Sequence, residues 1–177
     1  FANGKEYLWQ ADPAFWKRHS PVLFPIVGSV WENEYRNEGI PYILTQHGFA
    51  RDMEFTLVSE KENEVCYRLI SNEETLQKYP FPFCLEISYH IHGKQIEVIW
   101  KVKNTGEKEM HFQIGAHPAF YWPDFDAATS ERGFFGFDKK EGLKYILISE
   151  KGCADPSTEY TLELADGLLP LDIHRFD

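Results

Sequence analysis

The chain is short of cysteine, of basic charge and of long apolar runs, and each shortage removes a class of function. Its three cysteines, Cys66, Cys84 and Cys153, form no Cys-x-x-Cys. That number and spacing argue against a disulfide framework and fit reduced thiols in a cytoplasmic protein. Basic residues number 18 against 28 acidic ones, a formal net charge of −10. Nucleic-acid binders carry the opposite balance or a basic stripe, so no nucleic-acid partner is expected. The same deficit speaks against binding an anionic membrane surface. No apolar run reaches the length of a membrane span, and no signal peptide is expected. There is no Gly-x-Ser-x-Gly elbow and no phosphate-cradling glycine loop, which removes most support for a serine hydrolase or a nucleotide-binding protein. The acidic residues are scattered, and spacing picks out no catalytic carboxylate.

What is present is alternation. In Leu85-Glu86-Ile87-Ser88-Tyr89-His90-Ile91-His92 apolar and polar residues take turns, Gly93-Lys94 offers a turn, and Gln95 to Lys103 returns. This is a strong hairpin signal. Phe55 to Ser59 and Val65 to Ile70 predict a weaker pair, separated by the charged run Glu60 to Glu64. Tyr42 to Thr45, His111 to Ile114, Tyr145 to Ile148 and Tyr160 to Leu164 also read as strands. One short helix is expected, as a connector: Ser71-Asn72-Glu73-Glu74 fits a capping box, and Thr75 to Tyr79 carries the helix to Pro80. With 177 residues, 43% of them apolar, and no repeat or linker, the expectation is one all-β domain over 1–177, two antiparallel sheets packed face to face. Phe1 is not an initiator methionine, and neither end has terminal character, so a domain incomplete at both termini is expected. Missing strands would leave open sheet edges, a route to self-association.

Three histidine contexts matter. His117, in Gly115-Ala116-His117-Pro118-Ala119-Phe120, is pushed toward extended backbone by Pro118. It is either a functional imidazole at a strand end or a structural cap. His47, in Gln46-His47-Gly48-Phe49-Ala50-Arg51, precedes a glycine that permits a sharp turn. Gln46 offers an amide and Arg51 a planar cation for hydroxyls, carboxylates or phosphate. The plainer reading there is a tight turn with a surface ion pair from Arg51 to Asp52 or Glu54. His90 and His92, two apart on a strand, share a face. Such a pair can bind zinc, but further ligands are needed and no Cys/His cluster or His-Glu-x-x-His helix supplies them, so they read as solvent-facing and no metal is expected. His19 and His174 have no distinctive context. An aromatic content of 16%, beyond what core packing alone uses, adds the ring faces that sugar clefts employ.

The chain resembles the aldose 1-epimerases, or mutarotases, of the galactose-mutarotase-like superfamily. The resemblance runs through Gly4 to Gln10, Phe15-Trp16, Ser20-Pro21-Val22-Leu23-Phe24-Pro25-Ile26-Val27-Gly28, Gln46 to Arg51, and Gly115 to Phe120, in order. It implies an all-β, galactose-mutarotase-like supersandwich of antiparallel sheets, present here in part, and a small sugar as partner. It implies His117 as the general acid on the ring oxygen, His47 as a second imidazole hydrogen-bonding the sugar beside it, and no cofactor; the amide of Gln46 and the cation of Arg51 are the candidate substrate-binding groups. Phe120, Tyr121 and Trp122 are either cleft lining or core. Ser29 stands where the family commonly has an arginine, and Arg51 matches a phosphate-holding arginine of the related hexose-6-phosphate epimerases. The resemblance also implies a general-base glutamate in a late segment that these residues do not reach. The expectation is therefore an inactive or very weak polypeptide as it stands, with an epimerase as its parent. The alternatives are a hexose-6-phosphate 1-epimerase and a non-catalytic carbohydrate-binding protein. All of this requires His47 and His117 to face one pocket able to hold a pyranose.

Overall fold

The structure is a computed structural model that describes residues 2–122, 126, 128–149 and 152–172. The alternating segments form its backbone. Strands β4 (Thr56–Lys61), β5 (Glu64–Ile70), β6 (Phe83–His92) and β7 (Gln95–Asn104) make a four-stranded antiparallel sheet in that order. The β6–β7 hairpin closes through Gly93, whose φ of 62° is what a primed two-residue turn needs at its first central position. The charged run that was expected to separate β4 from β5 is mostly strand: Lys61 pairs with Glu64, leaving a turn of Glu62 and Asn63.

The remaining strands pair antiparallel in twos. These are β1 (Val22–Leu23) with β8 (Gly115–Ala116), β2 (Glu34–Asn37) with β3 (Ile40–Ile43), β9 (Glu131–Gly136) with β12 (Leu168–Asp172), and β10 (Leu143–Ile148) with β11 (Ala154–Leu162). Antiparallel strands with almost no helix make the described residues all-β, as the alternation led one to expect. The strand expected at His111–Ile114 is displaced to Gly115–Ala116. Its neighbour contains Pro25, which has no N–H to donate, and the Phe24 carbonyl is already taken by the Phe49 and Ala50 amides. Gln113 still donates its N–H to the Pro25 carbonyl at 2.8 Å, but no ladder develops.

The predicted helix is present as α1 (Glu73–Lys78), started one residue later than the sequence pattern placed it. Asn72 is its N-cap, accepting from the Thr75 N–H at 2.9 Å, while the Thr75 hydroxyl accepts from the Asn72 N–H at 2.8 Å. Ser71 is unavailable as the cap because its hydroxyl accepts from the Phe83 N–H at the start of β6.

The core lies beneath one end of the four-stranded sheet. Phe83, Leu85 and Ile87 point inward from β6 and Leu69 from β5, and they meet Phe24, Phe49, Tyr79 and Phe81 from the loops and the end of α1. Phe24 and Phe83 are fully buried with ring centroids 5.0 Å apart. Farther along the same face, burial stops: Tyr89, Ile91, Ile96 and Val98 are exposed. The sheet therefore has a packed end and an uncovered end. No helix among the described residues is long and apolar enough to cross a membrane. Cys66 is buried, Cys84 and Cys153 are half-buried, and all three are unpaired.

Candidate active site

The β1–β8 pairing fixes one imidazole and the loop after β3 fixes the other. Val22 opposes Ala116 and Leu23 opposes Gly115, so His117 leaves the ladder beside Pro21 and donates its N–H to the Pro21 carbonyl at 3.1 Å. The Trp16 and His117 rings meet edge to face, 4.8 Å between centroids and inclined by 74°. Trp16 is itself held through its carbonyl, which accepts from the Trp9 indole N–H at 2.7 Å.

His47 and Gly48 both adopt positive φ, 65° and 68°. Such a conformation at a non-glycine residue costs about 1–3 kcal/mol and persists only where the surroundings over-determine it. Two hydrogen bonds do so here. The His47 N–H donates to the Gly28 carbonyl at 2.7 Å, and the Gly28 N–H donates to His47 Nδ1 at 3.0 Å. Gly48 must be glycine for a second reason: a Cβ there would stand 2.3 Å from the Phe24 carbonyl oxygen. The turn that presents His47 is thus seated directly on the core.

These two segments bring the His47 and His117 rings to 6.3 Å between centroids, inclined by 39°. Because Nδ1 of His47 accepts from Gly28, the neutral ring carries its hydrogen on Nε2 and offers it as a donor. Its pKa lies below the ordinary histidine value, first through burial and then through the positive charges of Arg51, His117 and Arg18. Protonation at Nδ1 would also forfeit the Gly28 hydrogen bond.

Arg51 lies in the same turn. Its Nη2 donates to the Gln46 carbonyl at 2.7 Å, and its Nε is buried, 3.6 Å from Asp52 Oδ2. The ion pair to Asp52 read from the sequence is present alongside the imidazole pair. Arg18, to which spacing gave no role, also reaches Asp52, with Nη1 2.7 Å from Oδ1. Asp52 is held below the usual carboxylate range by that hydrogen bond, despite some opposing burial. The amide of Gln46 lies against Gly152. Beside this site opens a cavity of about 470 Å³ lined by Lys17, Arg18, His19, Arg51, Tyr67 and Tyr89 among others. Neither His47 nor His117 lines it, so this cavity is not the shared pocket that the sequence reading required both rings to face; only Arg51 of the site residues lines it.

The remaining candidates are spread out. Tyr121 packs on Trp9 at 5.3 Å, Trp122 covers Gly133, and Phe120 is exposed. His19 places Nδ1 3.1 Å from the Trp9 carbonyl. His90 is half-buried and His92 exposed, far along β6. His174 lies outside the described residues. Sequence reasoning missed Gly28, Trp16 and Arg18 as partners of the site. Gly28 and Trp16 stood within the quoted motifs, but nothing local says which residue will meet which ring.

Comparison with known proteins gives the chain's family. The aldose 1-epimerase family profile matches residues 2–132. A chromosomal LacX protein of Lactococcus lactis subsp. lactis is 42% identical over 127 residues, which cover 68% of this chain and 42% of that protein. The chain thus spans under half the length of this curated relative. A galactose mutarotase related enzyme from Lactobacillus acidophilus superposes with a TM-score of 0.85 at 31% identity, over 96% of this chain and 56% of that one. A galactose mutarotase-like protein from Lactobacillus casei gives 0.80 at 30% identity, over 97% and 58%. With the family profile spanning most of these residues and the fold shared almost throughout, the chain belongs to the aldose 1-epimerase family.

Proposed function

We propose that these residues carry the acid half of a site that interconverts the α and β anomers of a hexose. The observation behind this reading is the paired imidazoles: two residues remote in sequence, each fixed by backbone hydrogen bonds, with rings 6.3 Å apart. His117, exposed and packed against Trp16, donates a proton to the ring oxygen. The bond from that oxygen to C1 breaks as a base removes the hydroxyl proton at C1 and the aldehyde forms. Rotation about C1–C2 and reclosure deliver the other anomer. His47, kept neutral by burial and by the nearby cations, holds a sugar oxygen with Nε2–H rather than acting as the acid. Proton transfer from a positioned group contributes about 10²–10⁴-fold. The charges acting on His47 are cationic, and the base belongs to the later segment that the family resemblance implies.

A phosphorylated hexose is a second reading, supported by Lys17, Arg18 and Arg51 around the neighbouring cavity. Against it, Asp52 already neutralises part of that charge.

Anomer-exchange NMR on glucose, galactose and glucose 6-phosphate separates the readings. The 177-residue chain is expected to shift its His47 and His117 resonances with sugar while exchanging anomers weakly. A polypeptide extended to the length of the relatives is expected to exchange them rapidly. Fast exchange by the 177 residues alone would refute the missing base. Binding without turnover in the extended form would mark a carbohydrate-binding protein. Preference for the phosphosugar, lost in Arg51→Ala, would select the second reading.

A further inference from the structure

The uncovered end of the β6–β7 hairpin carries a second cluster of imidazoles with a different chemistry. His90 and His92 leave β6 on one face, with ring centroids 6.0 Å apart. The strand register adds carboxylates to that face: Glu97 of β7 lies directly opposite His90 on one side, and Glu64 of β5 opposite it on the other. One ligand atom from each of His90, His92 and Glu97 lies within 4.8 Å of the others, the one such cluster among the described residues.

We propose that His90, His92 and Glu97 form a binding site for a divalent transition metal, zinc being the ion the donor set suits best. Two imidazoles and a carboxylate are a zinc-type ligand set, with a fourth position left to water. Magnesium and calcium favour all-oxygen shells and are disfavoured by the imidazoles. Ligands about 2.1 Å from a tetrahedral ion stand about 3.4 Å apart, so binding requires small side-chain rotations and no backbone movement. One pair is already close: His90 Nδ1 is 3.6 Å from Glu97 Oε2.

Glu64 completes the design from behind. His90 Nε2 is 4.0 Å from Glu64 Oε2, so the nitrogen turned away from Glu97 faces a carboxylate. A carboxylate that accepts a hydrogen bond from the far nitrogen of a ligating histidine fixes its tautomer and raises its basicity, and for Glu64 this requires the 4.0 Å separation to close by about 1 Å. Glu64 is in turn held by Lys61 at 3.3 Å.

The position gives the site a purpose. Beyond Ile87 the inward face of β6 is uncovered, and Tyr89, Ile91, Ile96 and Val98 receive little burial. A bound ion joins β6 to β7 where packing does not, and it stabilises the folded hairpin by mass action.

The test uses the untagged, chelator-treated chain. Titration calorimetry with zinc is expected to give one equivalent with a micromolar dissociation constant and a rise in Tm, with no binding of magnesium. His92→Gln, at an exposed position, is expected to weaken binding at least tenfold with an unchanged circular dichroism spectrum. Glu64→Gln is expected to weaken it less. Cobalt substitution is expected to give visible bands without thiolate charge transfer, separating this site from the three cysteines. Absence of saturable binding, equal affinity in His92→Gln, or a thiolate cobalt spectrum would each overturn the site.

Discussion

His47 and His117 hold their rings 6.3 Å apart, and His90 and His92 hold theirs 6.0 Å apart. The spacings match and the surroundings are opposite. The first pair joins two distant loops, rests on the aromatic core through Gly48 and Phe24, and lies among arginines. The second sits on one strand, at the uncovered end of the sheet, among carboxylates. Burial, and after it the cationic neighbours, disfavour a charged imidazole and leave His47 a neutral hydrogen-bond donor. Carboxylate neighbours supply ligands and charge for a bound cation. What an imidazole pair can do is therefore set by its burial and by the charges around it, and the ring separation alone does not distinguish the two.

The comparison is broken most severely at His117. In a polypeptide extended to the relatives' length, His117→Asn is expected to lower anomer exchange by about 10²–10⁴-fold. His92→Gln in the same background is expected to leave exchange unchanged, and exchange NMR on both variants checks the contrast.

The two turns beside the pairs provide the next test. Gly48 and Gly93 have nearly the same φ, 68° and 62°. A Cβ at Gly48 meets the Phe24 carbonyl oxygen at 2.3 Å, whereas one at Gly93 meets nothing within 4 Å. Gly48→Ala is expected to cost about 3–5 kcal/mol, since strained backbone and a core clash combine. Gly93→Ala is expected to cost only about 1–2 kcal/mol, the conformational penalty of a left-handed residue. Urea denaturation of the two variants measures the difference, and equal losses would mean that the His47 turn is not seated on the core.

The smallest effect is in pH. The folded pKa of His47 lies below its unfolded value, so between the two the unfolded chain binds more protons. Its contribution to stability is intact above about 6.5, the unperturbed histidine value, and is lost as pH falls from there toward the lowered folded value. An NMR titration of the His47 ring is expected to show a midpoint below that of a model histidine. Arg51→Ala is expected to move the midpoint upward, and an unmoved midpoint would remove Arg51 from the account.

The hairpin of β6 and β7 was legible because strand alternation and a Gly-containing turn are local signals. Helix α1 was legible to within one residue, and the shift arose because the Ser71 hydroxyl is used by Phe83 on another strand. The strand expected at His111–Ile114 was not legible, because its failure depends on Pro25 facing it. The site followed the same division. His47 and His117 stood out through their neighbours, whereas Gly28, Trp16 and Arg18 acquire a role only through contacts between remote segments. Likewise the pair His90 and His92 was visible on one strand, but Glu97 and Glu64 join it through register.

The amino-acid sequence by itself determined the all-β class, the principal hairpin, the short capped helix and the chemical identity of the candidate imidazoles, because periodicity, turn chemistry and side-chain type are carried by neighbouring residues. The tertiary structure alone decided which imidazoles meet, which nitrogen of His47 is left to donate, and which face of the sheet is covered. Each of those depends on hydrogen bonds and packing between segments far apart in the chain, and no local pattern records which segments will meet.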